Sequence, residues 1–301
     1  MNNPSLKGRP PYPFKTIGVA VAFSPRLKEV LGEAIIIAAA CDARLLLFHV
    51  GRKTPHHETT LRECCQRLGL SSQATRIIWQ DGNPVPTLLN LCKVNGVDLL
   101  ILGALRRENL FRYYLGSVAR GLSRAAKCSL LLLTEPKANG TSFSKFVICG
   151  DKNPKTIHTI NAAVYFGQNV GAQEITVVTE LDQPGLAMAM ADHSTAGQAL
   201  QTKSQMNSEA ISNAHDMICL CAPGKITIKE KTIPGQPGHA IRQYAESSHA
   251  DLLAINSPDT RYGLIDRIFP HDLEHILEDL PCSMLIVHSR SCQTTPNRPS
   301  P

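Results

Sequence analysis

The sequence predicts an α/β protein made of two doubly wound, five-stranded parallel-sheet domains. Three observations carry this prediction. Short, nearly all-apolar runs alternate with longer stretches of helical character. The whole alternation occurs twice, in the same order. The 301 residues suit about two domains and hold ample apolar content for two cores. Strands buried on both faces read as continuous apolar runs, and strand–helix alternation with right-handed crossovers gives a parallel sheet covered on both sides.

In the first half, strands are expected at Thr16–Ala22, Arg44–Val50, Ala74–Trp79, Asp98–Gly103 and Ser129–Thr134. Helices are expected at 25–41, 57–69, 84–95 and 117–126. The second half repeats the strands at Phe146–Gly150, Glu174–Thr179, Ile226–Lys231, Asp251–Asn256 and Ser283–His288. The internal match is specific. Gly82-Asn83-Pro84 corresponds to Gly235-Gln236-Pro237, and each glycine is followed 16 residues later by an aspartate, Asp98 or Asp251. Ala22-Phe23-Ser24-Pro25 corresponds to Asp151-Lys152-Asn153-Pro154. The second copy carries extra length around 181–215, expected to be a long loop running into a helix. The expected boundaries are a loose tail over 1–14, domains over 15–134 and 145–288, a polar, turn-rich linker over 135–144, and a second tail over 289–301.

Charge is uneven. Residues 1–140 hold 19 Lys+Arg against 9 Asp+Glu, net +10, and the remainder 12 against 16, net −4. A basic first half fits a phosphate-bearing ligand, although a dispersed basic surface has the same composition. Nucleic-acid binding is disfavoured, because no recognition motif is present and aromatic residues, at 5 %, are scarce for base stacking. No apolar run approaches the roughly 20 residues of a membrane span. The start, MNNPSLKGRPPYPF, lacks the apolar segment of a secretory signal. The ten cysteines show no CxxC spacing, and most lie in apolar runs, as buried thiols of a reducing, cytoplasmic protein would. Cys64-Cys65, on a polar helix, is the candidate reactive pair.

The stretch Asp98–Cys128, DLLILGALRRENLFRYYLGSVARGLSRAAKC, carries the candidate site. In an open parallel sheet, ligands sit beyond the carboxyl ends of the strands where strand order reverses, the edge that collects the segments after Ala22, Val50 and Gly103. Gly103 permits close approach of backbone to a phosphate. Gly116 suits a tight turn, and Ser117 suits a helix cap facing an anion. Arg106, Arg107 and Arg112 could pair with phosphate oxygens. A turn, a cap and solvated arginines would satisfy the same spacing without any ligand.

The chain resembles the universal stress protein family, as two UspA-type domains in tandem. The features that carry the resemblance are VAVAFSP at the first strand, the Gly-x-Pro before the third helix, the acidic residue opening DLLILG, and LGSVARGLSRAAKCSLLLL. The resemblance implies an adenine nucleotide alpha hydrolase-like fold. It also implies domain pairing through the last strands, Leu130–Thr134 against Met284–His288, as an internal pseudo-dimer. The family's nucleotide motif is glycine, two residues, glycine, nine residues, then Gly-Ser or Gly-Thr. Here it becomes Gly103, Arg106 and Gly116-Ser117. Carried onto this chain, the cofactor site falls on Ala22, Val50, Leu102, Gly103, Arg106, Gly116, Ser117 and Val118.

The departures narrow what that site can bind. ATP-binding members usually carry Asp at the end of the first strand. Ala22 stands there in the first copy, and Arg106 replaces a glycine. The second copy keeps Asp151 but puts Asn256, Asp259 and Pro270-His271 in the glycine-motif positions, and Asp259 and Asp266 would repel phosphates. The expected cofactor is therefore ATP, ADP or AMP, weakly and in the first copy only, with no metal. His271 and His275 stand four residues apart on a predicted helix, and His56-His57 lie in a predicted loop. Solvated histidines account for both pairs more simply than a metal site does. Asp151 lacks the adjacent acid of a phosphoacceptor site, and Ser117 has no base in a motif-defined position beside it. The expected function is a non-enzymatic, cytoplasmic stress-response binding or signalling protein. The alternative is a nucleotide-free adaptor for a partner protein or transporter. Dimerisation of the whole chain is compatible with the sequence but not legible in it.

Overall fold

A computed structural model describes residues 11–70, 75–106, 113–141, 143–151, 153, 155–182, 224–258 and 276–289. Each half starts from an apolar strand flanked by two more. In the first half, β1 (Thr16–Ala20) lies between β2 (Arg44–Val50) and β4 (Leu99–Gly103). In turn, β3 (Arg76–Gln80) pairs with β2, and β7 (Ser129–Leu133) pairs with β4, all parallel. In the second half, β8 (Lys145–Cys149) is flanked by β9 (Glu174–Asp182) and β11 (Leu252–Asn256). Outside them lie β10 (Thr227–Gly235) and β12 (Ser283–Val287), again parallel. A small hairpin, β5 (Leu105–Arg106) with β6 (Tyr113–Tyr114), follows β4.

The halves join through β7 and β12, which pair antiparallel with Leu131 opposite Leu285. The result, among the described residues, is one ten-stranded sheet ordered β10-β9-β8-β11-β12-β7-β4-β1-β2-β3. The seam is symmetric in its side chains too. Ser129 Oγ accepts from the His288 amide at 3.3 Å, and Ser283 Oγ accepts from the Thr134 amide at 3.2 Å. Pairing the two apolar edges buries every residue of β7 and β12 and removes two exposed templates for aggregation. Each leucine buried there contributes about 1.5–3 kcal/mol relative to exposure.

Alternation along the strands divides the core into two layers. Val19, Leu47, Ile101, Leu131, Ile148 and Leu285 face one layer; Leu46, Leu100, Leu130, Val147, Leu253 and Ile286 face the other. The helices that cover them are α1 (Leu27–Ala40), α2 (Pro55–Arg67), α3 (Pro84–Asn95), α4 (Ser117–Ala125), α5 (Thr156–Val170) and α6 (His239–Ser247). Their ends obey local chemistry. Thr54 caps α2 by accepting from the His57 amide at 3.2 Å, with Pro55 at the first helical position. Left-handed Gly96 and Gly171 close α3 and α5. Since α2 starts at Pro55, His56 and His57 belong to its first turn, not to a loop.

The repeated aspartates are structural staples. Asp98 Oδ2 accepts from the amides of Lys15 and Thr16, both at 2.8 Å. Asp251 Oδ2 accepts from Ser144 and Lys145 at 2.9 and 2.8 Å. Each acid ties the start of its half's fourth-in-sequence strand to the start of the first.

Two expectations change. Residues 12–14 are not a loose tail. Phe14 is fully buried and meets Tyr165 of α5 edge-on at 5.6 Å, while Tyr12 stacks on the same ring at 5.8 Å. The linker is anchored as well, because the Lys137 amide donates to buried Glu33 of α1 at 3.0 Å and Phe143 is buried. Strands β9 and β10 extend to Asp182 and Gly235, beyond the apolar runs that suggested them. They pair over nine residues at the sheet edge, where alternate positions of β10 face solvent and tolerate Lys229 and Lys231, with Glu230 half-buried between them. No helix among the described residues is long and apolar enough to cross a membrane. The 181–215 insertion falls outside the described residues from 183 onward.

Candidate functional site

At the carboxyl ends of β1, β2 and β4, the strand order reverses and a cavity of about 870 Å³ opens against the first turns of α1, α3 and α4. Ala22, Val50, Leu102, Gly103, Gly116, Ser117 and Val118 all line it. Seven of the eight site residues expected from sequence are thus brought together. The eighth, Arg106, pairs through its backbone with Tyr113 in the small hairpin; its side chain lies outside the described residues, as do Arg107 and Arg112.

The glycines act differently from expectation. Gly116 has φ −65° and ψ 167°, ordinary extended backbone, and it is the N-cap of α4; Ser117 is the first helical residue, so it does not cap. The constraint at Gly116 is space, because a Cβ there would lie 2.9 Å from Leu105 Cδ1. A Cβ on Gly103 would lie 3.1 Å from Val30 Cγ2. Leu105, 48 % exposed, therefore rests over the start of α4, next to where an anion would sit.

The walls contain groups that the sequence did not flag. Arg26 lines the cavity, donates to Thr134 O at 2.5 Å and to Ala104 O, and places its guanidinium 5.5 Å from the Tyr113 ring centroid. Phe23, His49 and His57 form an aromatic wall. The Phe23 and His57 rings stack at 4.1 Å, and Phe23 and His49 meet edge-on at 4.9 Å, with Trp79 behind. His49 Nδ1 contacts Val21 O at 3.0 Å, whereas His57 Nδ1 is buried without a hydrogen-bond partner. These residues come from the β1–α1 loop, the end of β2 and the start of α2. The one sequence signal was Phe23 beside Ala22.

At the corresponding place in the second half, among the described residues, polar side chains bond to one another. Strand register and helix starts equate Ala22, Leu27, Val30 and Gly103 with Asp151, Thr156, Thr159 and Asn256. Asn256 Nδ2 donates to both Asp151 oxygens, at 3.0 and 3.1 Å, and contacts Thr156 Oγ1 at 3.0 Å. Thr156 also donates to Asp151, and Thr159 to Asn256 Oδ1. Burial pushes the Asp151 carboxyl above its ordinary value, opposed by hydrogen bonds from Thr156, Asn153 and Asn256. The retained aspartate is thus consumed by its neighbours. Glu180, the register equivalent of Val50, accepts from the Gly238 and Ile241 amides at 3.1 and 2.8 Å, so a side chain of the protein occupies the N-terminus of α6. Asp259, Asp266, Pro270, His271 and His275 lie outside the described residues.

Two further sequence candidates resolve. Cys64 and Cys65 are not activated thiols, since burial raises both and takes Cys65 to about 11. Among the described residues no group of three potential metal ligands is present.

Two doubly wound α/β halves pair edge to edge, and a ligand-sized cavity opens at the switch point of the first. The universal stress protein family model matches residues 57–134 and 143–288, and the chain belongs to that family. Among solved structures, a protein of unknown function from Pseudomonas aeruginosa PAO1 is similar at 18 % identity and TM-score 0.62, covering 91 % of this chain and 92 % of its own. A universal stress protein from Archaeoglobus fulgidus DSM 4304 is similar at 13 % identity and TM-score 0.61, covering 92 % of this chain and 99 % of its own. These likenesses concern the fold. None of the curated proteins matches the chain.

Proposed function

We propose that the protein is a cytoplasmic, non-catalytic stress-response binding protein whose first half holds a small anionic ligand. ATP, ADP or AMP would be bound there weakly, and the second half acts as a structural partner. The observation that carries this reading is the convergence of Ala22, Val50, Leu102, Gly103, Gly116, Ser117 and Val118 on one open cavity, while the equivalent place is filled by the Asp151–Asn256 network. The start of α4 supplies unpaired amides and a positive dipole end to an anion. Arg26 adds a positive charge. Without a carboxylate at position 22, ribose and base lose an acceptor, so affinity for nucleotide is reduced.

The test is nucleotide analysis of the purified protein followed by calorimetric titration with ATP and AMP. The expected result is binding at one site per chain, lost in Gly116→Val. Absence of binding at millimolar ATP and AMP would sink this reading. A second reading, a nucleotide-free adaptor for a partner protein, is favoured by Leu105, an exposed apolar side chain seated over Gly116.

A further inference from the structure

Resting on the reading of the first-half cavity as a small-molecule site, we propose that its preferred ligand is a planar aromatic ring system of low polarity carrying one anionic group. Four wall positions decide this. Where the second half has a carboxylate, two hydroxyls and an amide, the first half has Ala22, Leu27, Val30 and Gly103, with no polar side-chain atom among them. A sugar carries hydroxyls that need partners, and each one buried without a partner costs about 1–3 kcal/mol. An unsubstituted ring system has none to satisfy.

The remaining walls fit such a body. Phe23 and His57 stack at 4.1 Å, and Phe48 and His49 also face the cavity. Aromatic walls favour a flat aromatic partner by offset stacking or edge contacts, beyond the area buried. For the anionic group, the start of α4 and Arg26 lie on the same cavity. Two of the five N–H donors of a guanidinium account for its carbonyl contacts.

The experiment uses the full chain and the fluorescent probe 1-anilinonaphthalene-8-sulfonate, with 2-naphthoate, decanoate and AMP as competitors. The expected result is saturable fluorescence at one probe per chain, displaced by 2-naphthoate at lower concentration than by AMP or decanoate. Ala22→Asp, at an exposed position, should weaken the probe by about tenfold or more through charge repulsion and tighten AMP. Opposite responses of the two ligands to one substitution separate a ligand preference from a folding defect. AMP binding without probe binding would overturn this inference and leave the nucleotide reading standing. Failure of both ligands would overturn both. Probe binding that is indifferent to Ala22→Asp and Gly116→Val, or displaced best by decanoate, would also overturn the inference.

Discussion

At the switch point of the first half, Ala22, Leu27, Val30 and Gly103 surround open space. At the switch point of the second, Asp151, Thr156, Thr159 and Asn256 bond to one another. The frames around these points are nearly the same, with equivalent strand registers, aspartate staples and seam serines. Even a detail of the wall repeats, since His49 contacts Val21 O at 3.0 Å where Thr179 contacts Gly150 O at 3.0 Å. A retained residue is therefore not a retained function. Among the described residues, the half that carries the aspartate engages it in a side-chain network, and the half with alanine there lines a cavity.

The largest effect should come from placing the same charge at the two equivalent positions. Asn256→Asp sets a second carboxylate against Asp151 in a partly buried network and should destabilise by about 3 kcal/mol or more at neutral pH, with partial recovery on acidification as one proton is shared. Gly103→Asp, at an exposed position, requires only that Val30 Cγ2, 3.1 Å from the new Cβ, shift slightly, and should cost less, about 1 kcal/mol. Urea denaturation of both variants checks the contrast; equal losses would erase the distinction between a networked and an open site.

The seam should behave symmetrically. Leu131→Ala and Leu285→Ala remove facing, fully buried side chains and should each cost about 3 kcal/mol, within the usual range for core leucines. A large difference between them in thermal or urea unfolding would mean that the halves do not share the interface equally. Smaller still, Ser129→Ala and Ser283→Ala each remove a hydroxyl that accepts from a cross-seam amide and should cost about 1 kcal/mol apiece.

The smallest effect is a pH dependence. The Asp151 carboxyl is raised in the folded protein, so folding favours its protonated form. Its contribution to stability is fully present below the unfolded value and is lost as pH rises through the folded value. Asp151→Asn should therefore gain stability relative to wild type as pH rises through the carboxylate range. A constant difference in melting temperature across that range would show that burial does not govern this group.

Much of the fold was legible because its cause is local in sequence. Leu130–Leu133 and Met284–Val287 are apolar throughout, as suits strands buried on both faces and along the seam. Asp98 and Asp251 announced the repeat by spacing. The position of the cavity was legible where strand ends or a motif marked it, at Ala22, Val50, Gly103 and Gly116-Ser117. The aromatic wall was not, since Phe23 is far in sequence from His49 and His57 and meets them only when β1 and β2 pair in parallel. Nor was the side-chain network of the second half. Thr156 and Thr159 look like ordinary helix residues until β8 and β11 bring Asp151 and Asn256 to their side. Phe14 was misjudged because proline and polar neighbours hid one buried ring.

The most direct test of the asymmetry is calorimetric titration of AMP into three proteins: wild type, Gly116→Val and Asp151→Asn. One site per chain, lost in Gly116→Val and unchanged in Asp151→Asn, is the predicted result. Two sites per chain, or a single site that survives Gly116→Val and disappears in Asp151→Asn, would contradict it.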